Sequence, residues 1–262
     1  MSIAIHSTVS GAGPVVVILH ALFGSGTNWR GFTKKLSLKH EVHCIDFRNH
    51  GQSSWSNNMT YSDLANDVID YLNYRNLRHV TLIGHSMGGK TAMKVSLNYP
   101  GLVENLVIED MAPVSYNHSH AAYVQSMKSV NLERFKNRQE VDRQLEKDIK
   151  ETTVRQFLLQ NLIYTNDGLR WRLNLDAIDH NMTELMAFPA LNDEQIFTGR
   201  ALFVFGERSS YLTSDHYPLI RKHFPNAQIS GIPRAGHWVH AEQPQMFFRN
   251  VDTFLSSDDN GH

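Results

Sequence analysis

Residues 80–98 constrain this chain more than any other stretch. An apolar run at 80–83 enters Gly84-His85-Ser86-Met87-Gly88, which fits the pattern G-x-S-x-G, and a helix-like segment at 90–98 leaves it. A strand that passes into a helix through so few residues must fold back sharply, and glycine permits that backbone. The reversal makes the serine hydroxyl stand clear of a sheet edge, so Ser86 is the candidate nucleophile.

The same alternation runs through the chain. Strands are expected at 15–20, 42–47, 80–83, 106–108, 202–205 and 228–232. Between them lie helical patterns such as 61–75, with apolar residues at Leu64, Val68, Ile69 and Leu72 and a cap at Thr60 or Ser62. Strand–helix alternation implies an α/β fold with a mostly parallel sheet covered on both faces. The rhythm breaks at about 115–198, which is polar, charged and helix-like with no convincing strand. The expected organisation is a core of 1–114 and 199–262 with 115–198 inserted as a helical lid. The polar tail at 256–262 is expected to fray.

Composition excludes several function classes. With 262 residues, 41% of them hydrophobic, the chain can bury a sizeable core. A net charge of −1 offers no basic surface for nucleic acid or an anionic membrane. A single cysteine, Cys44, forbids an internal disulfide framework and reads as a buried thiol. The N-terminus lacks the build of a signal peptide, and no apolar run approaches the ~20 residues of a membrane span. The expectation is a soluble, cytoplasmic protein.

A serine needs a base to take its proton, and the base needs an acid to hold its tautomer. In a strand–turn–helix setting of this kind the chain order is serine, acid, histidine. His223, His237 and His240 follow the late strands. His237 sits in Arg234-Ala235-Gly236-His237-Trp238, directly after a strand, where a loop carries its ring over the sheet edge. His223 lies in a charged helical stretch and reads as surface. His240 pairs with His237 at metal-like spacing, but no third ligand is at hand, so no metal is expected. For the acid, the loop after 202–205 reads Gly206-Glu207-Arg208-Ser209-Ser210-Tyr211, with Ser209 where an aspartate belongs. Asp110, which leaves the strand after the nucleophile's helix, is favoured over Glu207 and Asp215. Its structural alternative is a helix cap or loop brace.

The tetrahedral intermediate needs two backbone donors. Met87, following the nucleophile, supplies one N–H. The other comes from His20-Ala21-Leu22-Phe23-Gly24-Ser25-Gly26, with Leu22 favoured and Phe23 second. Asp46, Arg48 and His50 form a further acid–clamp–base set, but a hydrogen-bonded turn packed beside Ser86 is the favoured reading. Tyr116, Tyr123, Tyr164, Trp171 and Trp238 are candidate wall residues, with Phe23, Trp171 and Trp238 taken as the substrate pocket.

These segments, together with Gly236-His237-Trp238-Val239-His240-Ala241-Glu242 and Glu109-Asp110-Met111-Ala112-Pro113, resemble the α/β-hydrolase superfamily, and within it the YbfF-type esterase branch. The resemblance covers nearly the whole chain. It implies an α/β-hydrolase fold and cleavage of short esters, with acyl-CoA thioesters for some members. It also implies an acid after the strand that follows the nucleophile helix, again Asp110. Ala21 stands where the branch usually has glycine, placing a methyl beside the donor loop. The expected function is serine-dependent hydrolysis of a small-molecule ester or acyl-CoA without a cofactor. Acyl transfer or a lyase step on the same triad, and a non-catalytic binding protein, are the alternatives. Dehalogenase and epoxide hydrolase readings fail because they place an aspartate where Ser86 stands.

Overall fold

The apolar runs become strands because both of their faces are covered. The computed structural model describes residues 3–257, so the tail beyond Ser257 lies outside the described residues. In chain order the core elements begin with β1 (Ser7–Ser10), β2 (Val15–Leu19), α1 (Arg30–Leu36), β3 (Glu41–Ile45), α2 (Tyr61–Tyr74), β4 (Val80–His85), α3 (Met87–Asn98) and β5 (Val103–Glu109). The chain then leaves the sheet through α4 (Ala121–Ser129), α5 (Arg138–Leu145), α6 (Thr152–Leu159), β6 (Leu162–Thr165), β7 (Gly168–Trp171), α7 (Leu175–His180) and α8 (Met182–Met186). It returns with β8 (Arg200–Gly206), α9 (Tyr217–His223), β9 (Ala227–Ile232), α10 (Val239–Glu242) and α11 (Pro244–Ser256). The sheet order is β1-β3-β2-β4-β5-β8-β9, parallel except for β1 on β3.

Alternate residues sort into two layers. Val17, Leu19, Leu82, Leu106 and Ile108 pack with α2 and α3 on one face. Val16, Ile18, Ile83 and Val107 pack with α1 and α11 on the other. Each buried aliphatic side chain contributes about 1.5–3 kcal/mol, which is why these runs tolerate no polar alternation. Cys44 is buried in the second layer, and burial pushes its thiol up to about 11. Helix α2 starts where Thr60 caps it: the Thr60 side chain accepts from Asp63 N, while Asp63 accepts from Thr60 N.

Two strand pairings escape the sequence reading. β1 is a mostly exposed edge strand with no apolar run, held by its register on β3. The inserted segment, expected to be free of strands, contains the antiparallel β6–β7 hairpin. Its two-residue turn, Asn166-Asp167, is followed by Gly168 at φ 113°. An Asn-Asp-Gly turn is the one local signal of that hairpin. Among the described residues no helix is long and apolar enough to cross a membrane.

Candidate active site

β4 ends at His85, and α3 begins at Met87, leaving Ser86 alone in the turn at φ 53° and ψ −113°. A side-chain-bearing residue adopts that conformation only when its surroundings impose it. The imposing feature is close backbone approach. A Cβ on Gly84 would meet Gly88 O at 2.3 Å, and one on Gly88 would meet Leu19 O at 2.2 Å. Any larger residue at either place would push α3 off the sheet.

Asp110 follows β5 and is fully buried, with φ 47°. Its Oδ2 lies 2.7 Å from His237 Nδ1. Ser209 Oγ donates to the same oxygen at 2.5 Å, and Gly206 N donates to Oδ1 at 3.1 Å. The serine standing where an aspartate belongs therefore reaches the carboxylate that stands one strand away. Among the described residues neither Glu207 nor Asp215 forms a hydrogen bond or ion pair with His237. Burial pushes the His237 imidazole down, to about 3, and the Asp110 carboxyl up, to about 7. The imidazole is thus held neutral, the form a general base needs, while the donors on Asp110 favour its ionised state. His237 Nε2 has no hydrogen-bond partner among the described residues. Ser86 and His237 face one cavity without a bond between them, a looseness usual where the contact tightens only around substrate.

The loop after β2 is braced from below. His50 Nε2 accepts the Phe23 N–H at 3.1 Å, while its Nδ1 donates to Arg48 O at 2.9 Å. His20 repeats the arrangement, accepting Phe47 N–H at 3.0 Å and donating to Ala21 O at 2.8 Å. Both rings are buried and neutral, and burial pushes His50 down to about 3. Phe23 N–H is therefore spent. Leu22 N–H and Met87 N–H have no partner among the described residues, and both residues lie against Ser86. Asp46 braces the same loop, and Arg48 ties the neighbouring 46–53 turn to α2. Asp46 accepts from Gly26 N and Gln52 N at 2.8 and 2.9 Å, and Arg48 pairs with Asp67 at 2.6 Å.

A family model for the alpha/beta hydrolase fold matches residues 14–244. The chain belongs to the alpha/beta hydrolase fold family. It is 40% identical to the sn-1-specific diacylglycerol lipase ABHD11 of Danio rerio, over 92% of this chain and 78% of that one. It is 31% identical to the esterase YbfF of Escherichia coli (strain K12), over 92% of each chain. Among solved structures it is similar to a marine microorganism esterase, with a TM-score of 0.93 and 37% identity over 97% of this chain and 100% of that one.

In this hydrolase the cavity beside Ser86 encloses about 190 Å³. Phe23 and Trp238 line it together with Ala21. The rest of its wall comes from residues the sequence reading missed or left among many: Tyr123, Val154, Phe157, Leu158, His120 and Tyr211. Only the 3.6-residue spacing of Val154, Phe157 and Leu158 along α6 marks an apolar face there. The Tyr211 ring stacks on His237 with centroids 3.9 Å apart. A narrow extension of about 20 Å³ lies past Ser86 and is bounded by Lys90, Tyr61 and Tyr116.

Trp171 is not part of this wall. It is buried inside the inserted segment, where its Nε1–H donates to Met127 O at 3.0 Å. Tyr164 is also absent from the wall, being 63% exposed on the hairpin. His223, read as surface, is buried with its Nδ1 donating to Gln195 O at 2.7 Å. The charged neighbours in α9 concealed an inward face.

His240 finds the further groups that its spacing did not reveal. His85, Glu109 and His240 bring ligand-type atoms within 4.8 Å of one another, because His85 and Glu109 are register partners on β4 and β5. His240 and Glu109 are already paired with each other. His240 Nδ1 lies 2.8 and 2.9 Å from the two Glu109 oxygens, and His85 Nε2 donates to His237 O at 2.8 Å. The cluster is a hydrogen-bond network.

Proposed function

We propose that the protein is a serine hydrolase of carboxylic esters that works through Ser86, His237 and Asp110. Ser86 Oγ attacks the ester carbonyl while His237 Nε2 takes its proton. The Leu22 and Met87 amides receive the oxyanion. His237 returns the proton to the departing alcohol or thiol, then draws one from the water that attacks the acyl-enzyme and passes it to Ser86 Oγ as the carboxylic acid leaves. Asp110 holds the imidazole in the Nδ1–H tautomer throughout.

One observation carries this reading: Ser86, in a conformation that only the turn imposes, shares an apolar cavity with a histidine whose other nitrogen rests on a buried carboxylate. The inserted segment acts as a lid, since α6 and the residues around α4 close the cavity over Ser86. Its apolar wall and limited volume support acyl groups of short to medium length, presented as esters or as acyl-CoA. No step of this chemistry calls for a cofactor.

The test is an acyl-chain-length series of p-nitrophenyl esters and acyl-CoAs on wild type and Ser86→Ala. The variant is expected to stay folded and to lose on the order of 10⁵–10⁶ of kcat. Turnover retained by the variant refutes the proposal. A new ester formed when an alcohol is added assigns acyl transfer instead. Failure of Ser86 to react with a fluorophosphonate assigns a binding protein.

A further inference from the structure

Two successive acids at the end of β5 hold two histidines three residues apart. Asp110 holds His237, and Glu109 holds His240. Glu109 is fully buried, and its Oε1 also accepts the His240 backbone N–H at 2.7 Å. A carboxylate so placed is tolerable only with partners on its oxygens, and His240 supplies both bonds. Trp29 stacks on the far side of the His240 ring, with centroids 4.3 Å apart and planes 13° from parallel. His85 completes the arrangement. Its Nε2–H must be the donor to His237 O, because a carbonyl only accepts. Glu242 meanwhile accepts Gly236 N–H at 2.7 Å and Trp238 N–H at 3.3 Å. The backbone is therefore held before His237, at its own carbonyl, and after it.

We infer that Glu109, His240 and His85 are positioning residues for His237, fixing its loop so that the imidazole spans Asp110 and Ser86. The inference rests on the proposal that His237 is the base. None of the three lines the cavity of Ser86, so they act through His237. A base displaced by about 1 Å loses on the order of 10²-fold in rate, which is what this network prevents.

The test sets an amide that keeps one donor against an apolar side chain that does not. His240→Asn places an N–H where Nδ1 stands and removes the ring. His240→Phe keeps a ring against Trp29 and removes the donor. With a short p-nitrophenyl ester, His240→Phe is expected to lower kcat about 10–100-fold with KM held within about threefold, and His240→Asn to stay within about fivefold of wild type. Fluorophosphonate labelling of Ser86 should slow in step with kcat. The reverse order, Phe above Asn, means that packing on Trp29 is what matters and overturns the inference. So does labelling that stays fast while kcat falls. If His240→Phe does not fold, His85 provides the same contrast: His85→Gln keeps a donor at Nε2 and is expected to outpace His85→Leu at least about tenfold. Equal rates for that pair also overturn the inference. A wild-type protein that neither cleaves the ester nor reacts at Ser86 defeats the hydrolase reading itself, an outcome distinct from a reversed order among variants.

Discussion

The braced loops at 20–26 and 46–53 and the loops around Asp110 and His237 both combine acid and histidine, yet they are built for opposite ends. In the first, every ring nitrogen has a backbone partner: His50 and His20 each donate through Nδ1 and accept through Nε2. In the second, His237 gives Nδ1 to Asp110 and leaves Nε2 open beside Ser86. The two braced rings are struts, whereas the His237 ring keeps one nitrogen free over the cavity that also holds Ser86, as the proposed base must.

The comparison can be broken by substitution. Asp110→Asn should lower kcat by on the order of 10³–10⁴ with little change in KM, because the amide favours the wrong imidazole tautomer. Steady-state kinetics check it, and an equal loss in Glu207→Gln would move the acid elsewhere. His50→Leu should act mainly on stability. It leaves the Phe23 N–H buried without an acceptor, which costs about 1–3 kcal/mol in denaturant unfolding, with kcat reduced about tenfold. A loss as deep as that of Asp110→Asn would make His50 more than a strut. Ser209→Ala should have the smallest effect, about two- to fivefold in kcat. Its clearer signature is in the pH profile. Ser209 donates to the ionised form of Asp110 and so lowers its pKa; without that donor the pKa rises, and the acid limb of kcat/KM should move to higher pH by roughly one unit.

The parts of the site that were legible in the sequence are those that local backbone determines. Gly84 and Gly88 around Ser86 permit the close strand–helix approach that a sharp turn needs, and the empty acid position at Ser209 directs attention back to Asp110. The less legible parts depend on what packs across from them. β1 has no periodicity of its own. His223 turns inward although its helix neighbours are charged. Trp171 and Phe157 are equally plausible wall residues in one dimension, but Phe157 lies on α6, which lines the cavity of Ser86, and Trp171 does not. Glu109 and His85 meet His240 through strand register, which no spacing within a single segment encodes.

Lys90 sits one helical turn beyond Ser86 and is only 2% exposed. Its Nζ donates to Met186 O and Ala187 O at 2.9 and 2.7 Å, between the rings of Tyr61 and Tyr116. The amine is thus shielded from any reagent in solution for as long as the far end of the inserted segment stays docked on α3. Amine-reactive labelling of Lys90, followed by peptide mass spectrometry, then becomes a clock for undocking that needs no substrate. It should run slowly in native protein and at the pace of exposed lysines such as Lys39 once that end lifts away.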